Sequence, residues 1–195
     1  LVSGSGNVAI YAMEKVMQLG GTVIACSDSD GVIYDPAGLN LETIKLIKEN
    51  QHKRIKEYTT YHSSATYKEK GIIWDIPCDV ALPCATQNEL NAKHAEILIK
   101  NGCSCVTEGA NMPTTPDAIN IFQSQGILYA PGKATNAGGV ATSALEMQQN
   151  ACRDTWTFDY TDARLKTIME GIHKTCYETA EEYNVPGDYL KGANI

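Results

Sequence analysis

The chain has 195 residues, 43% hydrophobic and 20% charged, with a net charge of −7. That describes an ordinary globular protein long enough to bury a sizeable core. The negative balance argues against general binding to nucleic acid or an anionic membrane, and no apolar run approaches the ~18 residues of a membrane-crossing helix.

Leu1 and Val2 read as the end of a strand. Two residues are too few for a whole strand, which usually runs about 5–6 residues. The expectation is a chain that begins inside a longer polypeptide, and no signal peptide is visible in it. The closing Lys191-Gly192-Ala193-Asn194-Ile195 has the same unfinished character. Next comes Ser3-Gly4-Ser5-Gly6-Asn7-Val8-Ala9, then Ile10, Met13, Val16 and Met17 at helical spacing up to Leu19. Strand, glycine turn and helix form the entry to a dinucleotide-binding unit, in a G-x-G-x-x-A variant. The first glycine permits a tight turn and the second lets backbone approach a pyrophosphate. Ala9 lets the helix pack close to the strand. The helix N-terminus offers free amides and a positive dipole end. By itself the motif also fits a glycine turn ahead of any helix.

After Gly20-Gly21, Thr22–Cys26 reads as a short, buried, β-branched strand. It ends in Ser27-Asp28-Ser29-Asp30-Gly31. Asp28 lies 24 positions after Gly4, near the ~20-residue offset of an acid that meets an adenosine ribose. The same D-x-D-G string also favours a plain polar turn. Gly31–Gly38 is a short extended excursion closed by a turn. A helix follows over Leu41–Asn50 with Ile44 and Ile47 inward. The cluster His52, Lys53, Arg54 and Lys56 is either a solvated face or a counter-charge for an extra phosphate on the cofactor ribose.

Tyr58–Ile76 is polar and aromatic. Asp79–Leu82 reads as a strand running into the loop Pro83–Glu89. A helix over Ala92–Lys100 precedes a strand over Ser104–Thr107 and the loop Glu108–Asn111. Thr115 and Pro116 open a helix, as expected for a cap and a first-turn proline, and Gly126 ends it. Ile127–Ala130 is a further strand. Long helices are expected over Asn136–Arg153 and Asp162–Glu182. Strands alternating with helices predict an α/β fold, a Rossmann-like doubly wound, largely parallel sheet with helices on both faces plus C-terminal helices. Residues 1–150 would form the dinucleotide-binding domain and 151–195 a helical extension. The strand-end loops would gather on one edge, where open α/β sheets bind ligands.

The seven cysteines are an odd number without a C-x-x-C pair, which argues against a disulfide framework or zinc site and for buried thiols in a reducing, cytoplasmic setting. The four histidines form no metal-ligand pattern, so no metal is expected.

Four strings go beyond a generic cofactor fold: Gly4–Ala9 (GSGNVA), Pro83–Glu89 (PCATQNE), Glu108–Thr115 (EGANMPTT) and Asn136–Ser143 (NAGGVATS). In this order and spacing they resemble the cofactor-binding domain of hexameric glutamate dehydrogenases, over essentially the whole chain. Leu145–Asn150 (LEMQQN) and the closing KGANI look like the small NADP-linked bacterial and protist type. The resemblance implies a pyrophosphate turn at Gly4, Ser5, Gly6, Asn7 and Val8. Asp28 and Ser29 would meet the adenosine ribose and any 2′-phosphate. Ala85, Thr86 and Gln87 would lie along the nicotinamide ribose, with Asn111 and Asn136 at the nicotinamide. Val140 and Ser143 would line the substrate side, Ser143 meeting the distal carboxylate of glutamate. From the residues alone, Ser143 reads as a helix hydroxyl bonding its own backbone.

The resemblance also implies that the lysine and aspartate of catalysis lie in a preceding domain, so no catalytic residue is expected here. Interconversion of L-glutamate with 2-oxoglutarate and ammonium would belong to a homohexameric parent, and this chain alone would be inactive. Cofactor choice is divided. Ser27-Asp28-Ser29 resembles NADP-preferring members and Asp30 the NAD type, while Arg54 with its neighbours can compensate charge. NADP is the expectation, with NAD possible. The alternatives are a leucine-, valine- or phenylalanine-type dehydrogenase, or a non-catalytic dinucleotide-binding module.

Overall fold

The computed structural model describes all 195 residues, Leu1–Ile195. Its strands are β1 (Ala25–Ser27), β2 (Gly31–Tyr34), β3 (Thr66–Glu69), β4 (Val80–Ala81), β5 (Cys105–Thr107) and β6 (Leu128–Ala130). The helices are α1 (Asn7–Gln18), α2 (Leu41–Lys45), α3 (Tyr58–Tyr61), α4 (Ala92–Lys100), α5 (Pro116–Ser124), α6 (Gly132–Thr135), α7 (Gly138–Cys152), α8 (Phe158–Glu182) and α9 (Tyr189–Asn194).

The strands form two ladders, β1-β2-β3 antiparallel and β4-β5-β6 parallel. Val2 joins them, with parallel bridges to Cys26 on one side and Leu82 on the other. Its amide donates to Ala25 O at 3.1 Å, while Ser3 N donates to Leu82 O at 3.0 Å and Leu82 N to Leu1 O at 2.8 Å. The result is one continuous sheet with the chain's opening residues at its centre. The expected parallel set is present, but β2 and β3 run against it. The cause is the turn at Asp28–Asp30. Asp28 Oδ1 accepts the amides of Asp30 and Gly31, folding the chain straight back instead of allowing a crossover helix. The expected extended excursion after Gly31 is thus a paired strand. The stretch expected only as polar and aromatic supplies β3, a charged edge strand that discourages further pairing.

Period-two alternation sorts neighbouring residues onto opposite faces. Leu1, Ala25 and Val32 enter one core with Leu98, Phe122 and Trp74. Val2, Cys26 and Ile33 enter the other with Ile10, Met13, Ile44 and Tyr58. Helices α4 and α5 therefore cover one face, and α1, α2 and α3 the other. Residues of α8, β5 and β6 line a pocket of about 370 Å³.

Several boundaries move for local reasons. Helix α1 begins at Asn7, earlier than expected, because Gly6 is its N-cap. The helix from Leu41 becomes a π-type turn over Leu46–Asn50. Thr115 is the N-cap of α5, but its side chain makes no capping bond. The expected single helix from Asn136 divides, since Asn136 closes α6 and α7 starts at Gly138. Helix α8 starts at Phe158, where the Thr157 hydroxyl accepts the amide of Tyr160. No helix is long and apolar enough to cross a membrane.

Phe122 is fully buried and stacked on Tyr129 at 6.2 Å. Phe122→Ala is expected to cost about 3–5 kcal/mol in urea denaturation. Leu19→Ala, at a residue 81% exposed, is expected to change stability by no more than about 0.5 kcal/mol.

Candidate functional site

The parallel strands deliver their C-terminal ends to one edge of the sheet, and a cleft of about 680 Å³ opens there. Gly4, Ser5, Gly6, Asn7 and Val8 form its floor, Ser27, Asp28, Ser29 and Arg54 one end, and Ala85 and Thr86 the other. The sequence-derived residues for the turn, the adenosine end and most of the nicotinamide loop therefore share one cavity.

The floor is a helix N-terminus held open. The first intrahelical bond of α1 runs from Ile10 N to Gly6 O, so the amides of Asn7, Val8 and Ala9 have no helical partner. The first turn has no acidic residue and Gly6 offers no capping side chain. Such an end attracts an anion. Gly4 has φ +83°, and a Cβ there would stand 3.1 Å from Ala85 Cα. Its amide donates to Ser27 Oγ at 2.8 Å. The glycine is required both by its backbone angle and by the approach of the neighbouring loop.

At the end expected to meet adenosine, Asp28 is committed to shape. Besides the two turn amides, its Oδ2 accepts Ile55 N at 3.0 Å, which fixes the Arg54 segment beside the turn. Arg54 donates to Ser29 Oγ at 2.7 Å and pairs with Asp30 Oδ2 at 3.2 Å. A guanidinium and a hydroxyl are thus preset side by side at the cleft mouth, with Asp30 as their counter-ion. Of the expected basic cluster, only Arg54 lines the cleft. Lys48 joins it instead, its ammonium held on Lys53 O at 3.2 Å. Lys48 carries no motif signal, because its placement depends on the π-type turn.

At the other end, Cys84 and Glu89 also line the cleft. Burial, then the Glu89 charge, pushes the Cys84 thiol up to about 12, so it stays protonated and is a packing group. Burial raises the Glu89 carboxyl above its ordinary value, opposed by bonds from Ala85, Ser3 and Thr86. Glu89 belongs to a quoted string, but nothing in the sequence marks it as the acceptor of this loop.

Gln87, Asn111, Asn136, Val140 and Ser143 lie outside the cleft. A relay of bonds continues the same edge toward three of them. Gly109 N and Ala110 N donate to Pro83 O, and Asn88 N to Met112 O at 3.0 Å. Asn136 Nδ2 donates to Ala110 O at 3.2 Å. Gln87 and Asn111 are exposed on these paired loops. Beneath them the buried Glu108 carboxylate accepts the amides of Thr114 and Gly132. Val140 is 77% exposed on α7. Ser143 is exposed too, and the hydroxyl that bonds back to the helix is that of its neighbour Thr142, to Gly138 O at 2.9 Å.

Three of the four histidines have structural partners. His94 completes the capping box of α4 with Asn91, and burial lowers its pKa. His62 stacks on Tyr58 at 4.4 Å, and His173 meets the Tyr189 hydroxyl at 3.0 Å. No three His, Cys, Asp or Glu side chains come together as a metal site.

The profile of the Glutamate/Leucine/Phenylalanine/Valine dehydrogenase family matches residues 1–195. The chain is 52% identical to a glutamate dehydrogenase of Bacteroides thetaiotaomicron, aligned over all of this chain and 44% of that protein. It is 49% identical to an NADP-specific glutamate dehydrogenase of Helicobacter pylori, over all of this chain and 45% of that one. A solved glutamate dehydrogenase of Plasmodium falciparum superposes with a TM-score of 0.95 at 48% identity, covering 99% of this chain and 42% of that chain. The chain thus spans less than half the length of these relatives.

The two cleft glycines should respond differently to a methyl group. Gly4→Ala is expected to cost about 1–3 kcal/mol for strain in the left-handed region. Gly6→Ala, where a Cβ meets nothing within 4 Å, is expected to stay within about 1 kcal/mol of the wild type. Urea denaturation of both variants checks the contrast.

Proposed function

The chain belongs to the Glutamate/Leucine/Phenylalanine/Valine dehydrogenase family, and on that premise we propose that it is the coenzyme-binding part of an NADP-linked glutamate dehydrogenase. The observation that carries this reading is the meeting, in one cleft, of an uncapped helix N-terminus with the Ser29–Arg54 pair. The first suits a pyrophosphate and the second a ribose phosphate. Residues 1–150 act as the dinucleotide-binding domain, with 151–195 as its helical extension.

In this assignment the pyrophosphate rests on the amides from Gly4 to Val8. Asp28 shapes the turn on which the adenosine ribose lies, and Ser29 and Arg54 hold its 2′-phosphate. Asp30 already neutralises part of Arg54, which weakens discrimination and fits a site that accepts NAD less well without excluding it. Ala85, Thr86 and Gln87 follow the nicotinamide ribose, and Asn111 and Asn136 orient the ring. The bound cofactor supplies hydride acceptance or donation. On α7, Val140 packs against the carbon chain of glutamate and Ser143 donates to its distal carboxylate. The alternative substrates of the family have apolar side chains, which would leave that hydroxyl without a partner.

The catalytic lysine and aspartate belong to the portion of the parent that this chain does not span. Proton transfer at the α-carbon needs such groups, so the isolated chain binds cofactor without oxidising glutamate. The parent works in the cytoplasm as a homohexamer on L-glutamate, 2-oxoglutarate and ammonium.

Titrating NADPH and NADH against the wild type and Arg54→Ala, by nicotinamide fluorescence, tests the assignment. The wild type is expected to prefer NADPH. Loss of a charge-assisted bond to phosphate should shrink that preference by about 10–100-fold. An unchanged ratio removes Arg54 from the phosphate site, and no binding of either dinucleotide by the wild type sinks the cofactor assignment.

A further inference from the structure

We propose that Glu89 is a positioning residue, holding the loop Ala85–Gln87 against the glycine turn and thereby setting affinity for the nicotinamide half of the cofactor. The inference rests on the dinucleotide reading above.

The loop has no ladder of its own. No backbone–backbone hydrogen bond begins or ends between Cys84 and Gln87. Its shape depends on two side chains. A single oxygen, Glu89 Oε1, accepts Ala85 N at 2.9 Å, Thr86 N at 3.3 Å and the Ser3 hydroxyl at 2.8 Å. Ser3 Oγ in turn accepts Cys84 N at 2.8 Å. Ser3 is fully buried and lies directly before Gly4. One carboxylate therefore binds both walls of the cleft, the loop through its amides and the glycine turn through Ser3.

Burial disfavours the charged carboxyl, and the three donors oppose that effect. A charged acceptor makes stronger bonds to the loop than a neutral one. The turn at the adenosine end has supports of its own. It is held by Asp28 through Asp30, Gly31 and Ile55, none of which touches Glu89. Loss of Glu89 should therefore loosen one end of the cleft and spare the other. That asymmetry separates a positioning role from a general structural one.

The experiment compares NADPH, which spans both ends, with 2′,5′-ADP, which carries only the adenosine half. Binding of each is measured by calorimetry on the wild-type chain, Glu89→Ala and Glu89→Gln. Glu89→Ala is expected to weaken NADPH binding about tenfold or more while 2′,5′-ADP stays within about twofold. Glu89→Gln keeps the accepting oxygen and should restore NADPH binding to within about threefold of the wild type. The proposal is overturned if Glu89→Ala binds NADPH as the wild type does, if it loses both ligands in proportion, or if Glu89→Gln is no better than Glu89→Ala. Should Glu89→Ala fail to fold, Ser3→Ala breaks the same link from the other wall, and equal retention or equal loss of the two ligands overturns the proposal there. A wild-type chain that binds neither ligand overturns the dinucleotide reading itself.

Discussion

Three residues at the start of the chain carry the sheet. Leu1, Val2 and Ser3 hydrogen-bond on both sides, to Ala25 and to Leu82, and without them two three-stranded ladders would share no bond. The side chains follow the same logic, because Leu1 faces one core and Val2 the other. The next residue, Gly4, begins the turn. The element that unites the sheet is thus also the one that aims α1 at the cleft, so the position of the helix N-terminus is inherited from the most constrained part of the fold.

Carboxylates shape the loops around that cleft. Asp28, Glu89 and Glu108 each accept backbone amides from segments that lack a regular ladder. An amide at a strand end that loses water needs an acceptor, and leaving it unpaired costs about 1–3 kcal/mol. Placing the acceptor on a neighbouring loop satisfies that amide and fixes the spacing between loops. Asp28 and Glu89 line the same cleft as Arg54, Lys48 and the start of α1, with their carboxylates bonded to amides.

The two ends of the candidate site differ in completeness. The end built from the glycine turn, Ser27, Asp28, Ser29 and Arg54 is lined by side chains already bonded to neighbouring groups. The opposite end passes through Asn111 and Asn136 to α7, a helix with only Leu145 buried. Val140 and Met147 are 77% and 72% exposed there. The relatives this chain matches are more than twice its length.

Periodicity and turn chemistry were enough to read the α/β alternation, most strands and helices, and the residues of the glycine turn. Those are local properties, set by side-chain spacing and by where glycine and proline fall. The four motif strings named the family, because their order along the chain survives without any knowledge of contacts. The D-x-D-G string offered the turn at Asp28–Asp30, but local pattern could not show that Asp28 also reaches Ile55, 27 positions away, and fixes the Arg54 segment beside that turn. Nor could it bring in Lys48, because a π-type turn sets that this cation faces the cleft. Glu89 and Ser3 are 86 positions apart, and only the closed sheet makes them one unit. The sequence determined which pieces exist and what family they belong to. The tertiary structure decided which polar groups are spent on one another and which remain to meet a ligand, because that depends on distances across the sheet.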